Sequence, residues 1–77
     1  MNYAGQTDRA MWEEHLYLAE RHVAAGEAHI ARQLETIVEL ERDGHDPTEA
    51  RSFLRQLQEL QKLHVAHRAR LRQELGV

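Results

Sequence analysis

Asp43-Gly44-His45-Asp46-Pro47-Thr48-Glu49 decides the fold, because a helix stop and a helix start stand in it with almost nothing between them. Gly44 can take the left-handed conformation that closes a helix C-terminus at little steric cost. Asp46 then serves as the next N-cap. Pro47 falls at the first helical position, where its missing N–H is harmless, and Glu49 is placed to complete a capping box. A continuous helix through this stretch would carry a glycine costing about 1 kcal/mol and a proline costing about 3. The stretch therefore predicts a turn over 44–46 that joins two helices, 7–43 and 47–75, as an antiparallel hairpin.

On the N-terminal side of the turn the apolar pattern is continuous. Leu16, Val23, Ile30 and Ile37 recur every seventh residue, and Ala19, Gly26, Gln33 and Leu40 follow three positions later, with Trp12 heading that second column. The pattern makes a heptad seam roughly 50 Å long. Gly26 is small where a seam usually holds leucine, so the partner helix is expected to approach most closely there. Thr7 or Asp8 caps this helix. Residues 1–6 carry Gly5 and no periodicity and are expected to form a flexible leader, leaving 7–77 as a single domain.

The second helix offers a seam of Ala50, Phe53, Leu57, Leu60, His64, His67 and Leu71, with Leu54, Leu63 and Leu75 beside it. The first helix carries more apolar surface than this one mate can cover. A further column of Ala10, Tyr17, Ala24, Ala31 and Val38 lies about 100° around it, and Met11 and Leu18 add a third patch. The expected fold is all-α: a two-helix hairpin that self-associates, most simply as a homodimer forming a four-helix bundle. Its core and oligomer seam would use Trp12, Leu16, Val23, Gly26, Ile30, Ile37 and Leu40 from one helix and Phe53, Leu57, Leu60 and Leu71 from the other.

Composition supports that reading. A chain of 77 residues buries little core alone, and oligomerisation is a natural supplement. It contains no cysteine, which removes disulfides, thiolate metal sites and cysteine nucleophiles together. There is neither the basic start and apolar run of a signal peptide nor an apolar stretch near the ~20 residues of a membrane span, so a cytoplasmic protein without membrane contact is expected. The formal net charge is -3. Acidic residues dominate up to Asp43 and basic ones after it, so antiparallel helices would attract. Arg51 and Arg72 share one helical column, Arg55 and Lys62 another, and Arg68 and Arg70 lie on different sides, which describes a solvated surface better than a phosphate track.

Six histidines in so short a chain are the compositional oddity. Three sit in a repeat, Glu13-Glu14-His15-Leu16, Glu20-Arg21-His22-Val23 and Glu27-Ala28-His29-Ile30, whose histidines stand ~10.5 Å apart along the axis and cannot share one ion within a helix. Flanking charged columns of this kind are ordinary in coiled coils. The Glu20 and Glu27 column, however, lies between two apolar columns and is expected to be largely buried. Folding the chain at His45 sets position 27 level with 64, so Glu27, His64 and His67 are expected to converge beside Gly26. One outcome is a buried Glu–His hydrogen-bonded network. The alternative is a zinc or iron site built from Glu27, His64 and His67, with His22 as a further ligand. The Glu-x-x-His motif of di-iron bundles is absent from both helices, so no cofactor is favoured. Ser52 has no nucleophile-elbow context and there is no phosphate-cradling glycine loop, which argues against an enzyme.

The run Ala19 to Gln33, AERHVAAGEAHIARQ, with Glu39 to Asp46, ELERDGHD, resembles short uncharacterised bacterial helical-hairpin proteins. The resemblance covers most of the chain and implies a bacterial cytoplasmic protein; it brings no activity with it. In architecture alone the hairpin is similar to the RNA-binding plasmid-copy-number protein Rop, which makes nucleic-acid binding a second alternative. The expected function is that of a non-enzymatic structural or protein-interaction module, with itself and an unidentified protein as partners.

Overall fold

The computed structural model describes the backbone of residues 3–77 and the side-chain surroundings of residues 8–77. Two helices, α1 (Tyr3–Arg42) and α2 (Thr48–Leu75), pack against each other, and the described residues contain no strand. The described part of α1 starts at Tyr3, ahead of the expected cap at Thr7 or Asp8. Of the expected leader, Met1 and Asn2 lie outside the described residues.

The turn is built from local hydrogen bonds. Gly44 adopts φ 76°, and its N–H donates to Glu41 O at 3.2 Å while the His45 N–H donates to Leu40 O at 2.8 Å. That pair of bonds is a Schellman motif, which satisfies carbonyls the helix would otherwise leave open. Asp46 Oδ1 accepts from both the Thr48 N–H, at 3.0 Å, and the Thr48 hydroxyl, at 2.6 Å. The two Thr48 donations, the hydroxyl's first, hold the Asp46 carboxyl below the ordinary aspartate range. The expected capping box does not form. α2 starts one residue late, with Pro47 at the cap, so Glu49 falls at the second helical position and the third is Ala50, which has no side-chain acceptor.

The hairpin measures 67 × 16 × 14 Å. Because α1 has 40 residues and α2 28, α1 overhangs by 12 residues, and α2 ends beside Leu16 and Tyr17. Ala19, Val23, Ile37, Leu71 and Leu75 are buried, with Val23 and Leu71 each only 2 % exposed. Along α1 the buried and half-buried positions run 12, 16, 19, 23, 26, 30, 33, 36, 37 and 40, and all but Thr36 follow the heptad pattern.

Along α2 the covered seam runs Ala50, Leu54, Leu57, Gln61, His64, Arg68, Leu71 and Leu75. This departs from expectation. α2 is rotated so that Leu54, Gln61 and Arg68 turn inward, while Phe53 and Leu60, 49 % and 50 % exposed, sit outside the intramolecular seam with His67. The cause lies at Gly26. A Cβ there would come within 1.8 Å of Gln61 Oε1, so the missing side chain leaves a notch that the Gln61 amide fills. From that notch Gln61 Nε2 donates to Val23 O at 2.9 Å. A counterpart bond runs the other way, Gln33 Nε2 to Ala50 O at 2.9 Å. One glutamine from each helix thus holds a carbonyl of the other, and together they fix the register.

Candidate functional site: a histidine face on the hairpin

The packing of α1 against α2 gives the hairpin two sides of different chemistry. On one, His22 meets His64 with ring centroids 5.3 Å apart and planes tilted by 44°. His22 sits at the junction of two shallow grooves. One is lined by His22, Ala25, Gly26, His29, Leu57, Leu60, Gln61 and His64, the other by His15, Leu18, Ala19, His22 and His67. His15 is also in edge contact with Trp12, at a centroid distance of 6.0 Å. Five of the six histidines therefore share one side, and neither groove is lined by an aspartate, glutamate, lysine or arginine. The sixth, His45, lies in the turn.

The other side carries the ion pairs that join the helices. Glu20 pairs with Arg72 at 3.4 Å, near the turn Glu41 pairs with Arg51, and Lys62 borders an apolar groove formed with Ile30, Val65 and Ala69. Both ion pairs are about half exposed and join the acidic helix to the basic one. Such surface pairs contribute at most about 1 kcal/mol each, so they bias the pairing of the helices more than they stabilise it.

The convergence expected at Glu27 does not occur. Glu20 and Glu27 are exposed rather than buried, and Glu27 lines neither histidine groove. The register accounts for this. Gly26 stands beside Gln61 and His22 beside His64, about one helical turn away from the expected pairing of 27 with 64. Glu27 also lies on the flank of α1 that leads to the charged side. No hydrogen bond joins a glutamate to a histidine among the described residues, so the expected buried network does not form there either. Nor do three or more histidine, aspartate or glutamate side chains among them gather closely enough to hold an ion.

Gln61 went unnoticed in the sequence as a structural determinant. Its signal was the missing side chain at Gly26, which required a filler from the opposite helix. Among the described residues Gln61 Oε1 is the buried side-chain polar atom without a hydrogen-bond partner; it faces the Gly26 backbone while the amide nitrogen takes the Val23 carbonyl.

The fold and this face define an all-α antiparallel helical hairpin with two histidine-lined grooves on one side, and no described helix is long and apolar enough to cross a membrane. No family model, curated protein or solved structure matches the chain.

Proposed function

We propose that the protein is a non-enzymatic structural or protein-interaction module that works in the cytoplasm as a self-associating helical bundle, most simply a homodimer. The observation that carries this reading is the accessible surface. The chain exposes 6068 Å², whereas a compact monomer of 9.0 kDa is expected to expose about 4,900 Å². The surplus, about 1,200 Å² per chain, would allow a dimer interface of up to about 2,400 Å² in total, within the range of obligate homodimers. Shape agrees with area, since the radius of gyration is 18.0 Å against about 11–12 Å for a compact domain of this length. Analytical ultracentrifugation over a micromolar concentration range tests the reading. A concentration-dependent dimer or higher bundle is the expected outcome; a cooperatively folded monomer throughout would refute it.

A second reading, a divalent-metal site, is favoured by the His22–His64 pair. Two imidazoles on one tetrahedral zinc, bound at about 2.0–2.1 Å, place their ring centroids ~5 Å apart, close to the 5.3 Å between these rings. Remaining ligands would come from water or a second copy. Zinc added to untagged protein should raise the melting temperature, and His64→Leu should abolish the rise. An unmoved melting temperature, with no stoichiometric metal by elemental analysis, would remove this reading.

A further inference from the structure

We infer that the histidine face is the surface through which two copies of this chain meet, copy against copy across a two-fold axis, with the face of the interhelical ion pairs left to solvent. The inference rests on the self-association proposed above and says which side does it.

Both sides expose apolar side chains, so exposure alone does not choose. On the histidine side Leu18 and Leu60 line the grooves. Helical spacing adds their neighbours, because Phe53, Leu60 and His67 repeat every seventh residue and Leu63 lies one turn from both Leu60 and His67; the same columns reach Glu74 and Arg70 only in the last turns of α2, beyond the grooves. Leu63 is 68 % exposed. On the opposite side Tyr17, Leu34, Val38 and Val65 are comparably open.

Charge makes the choice. Covering the opposite side would take the Glu20–Arg72 pair and Lys62 out of water, and an ion pair's desolvation can exceed its attraction. The histidine grooves hold no permanently charged side chain, and a neutral imidazole can be desolvated provided it finds a hydrogen-bond partner. A two-fold arrangement supplies such partners, since an imidazole offers both a donor and an acceptor nitrogen to its counterpart. The grooves run along the line where the two helices of one chain meet. A second hairpin laid there would complete a four-helix bundle.

The test compares Leu63→Glu with Val38→Glu by sedimentation at neutral pH in the presence of a chelator, which removes metal bridging as a cause of association. Circular dichroism checks that both variants remain helical; each position is exposed, so the hairpin should tolerate the change. Leu63→Glu places one carboxylate from each copy in the interface and should weaken association about 100-fold or more, while Val38→Glu should leave it within about threefold. Should Leu63→Glu fail to fold, the absence of cysteine in the chain allows Leu63→Cys and Val38→Cys to be labelled with a nitroxide. The label at 63 should be immobilised on association and that at 38 should stay mobile. Loss of association in Val38→Glu, in both variants or in neither would overturn the assignment of the face while leaving self-association standing. A wild-type chain that stays monomeric would fail the underlying proposal instead.

Discussion

Gly26 and Gln61 should be energetically coupled, and the sign of the coupling follows from their contact. Gly26→Ala relieves the cost of a glycine in a helix interior, a gain of about 1 kcal/mol. In the wild-type background the new Cβ would meet Gln61 Oε1 at 1.8 Å, far inside contact distance, so the amide must leave the notch. Leaving breaks the 2.9 Å bond to Val23 O, a loss of about 1 kcal/mol, and forfeits the packing of the amide against α1. Gain and loss nearly cancel, and Gly26→Ala alone should change stability by less than about 1 kcal/mol. With Gln61→Ala already in place nothing occupies the notch, and the same substitution should recover the full helical gain. The double-mutant cycle should therefore give a coupling of about 1 kcal/mol, read as about 4–8 °C in Tm for a chain of this size. Thermal melts at one fixed chain concentration measure it, which keeps mass action out of the comparison. If Gly26→Ala raises Tm equally in the wild-type and Gln61→Ala backgrounds, the glutamine does not fill the notch and the account of the register is wrong.

Other consequences are local. Gly44→Ala finds open space for its Cβ but keeps φ 76°, so it should cost about 1–2 kcal/mol through backbone strain alone, visible as a lower urea midpoint with an unchanged slope. Leu71→Ala, at a position 2 % exposed, should cost about 2–5 kcal/mol, enough to abolish cooperative melting in a hairpin with so few buried side chains. Asp46 titrates below its ordinary value in the folded chain, so its contribution to stability is complete above the unfolded-state pKa. It is lost as pH falls through the folded-state pKa. Melts of wild type and Asp46→Asn should accordingly differ at neutral pH and converge in acid; a difference that persists or grows as pH falls would show that the Thr48 bonds do not hold the carboxylate.

The turn was legible in the sequence because everything that makes it lies within a few residues. Gly44 supplies the left-handed φ, its Schellman bonds reach back only to Leu40 and Glu41, and Asp46 reaches forward only to Thr48. The seam of α1 was equally legible, since a single heptad register fits it from Leu16 to Leu40. α2 offered two registers sharing Leu57, His64 and Leu71, namely Phe53-Leu57-Leu60-His64-His67-Leu71 and Leu54-Leu57-Gln61-His64-Arg68-Leu71, and periodicity favours the first, which is the more apolar. The tertiary structure takes the second. Rotating Gln61 inward lets its amide fill the gap at Gly26 and bond to Val23, and these are contacts between residues 38 apart in the chain. That one rotation carries Phe53, Leu60 and His67 to the surface and, with the shift in register, sets His22 rather than Glu27 opposite His64. Local hydrogen bonding thus determined that there is a hairpin; which side chains share its histidine face was decided only when one helix met the other, because the shape of a notch on α1 has no trace in the periodicity of α2.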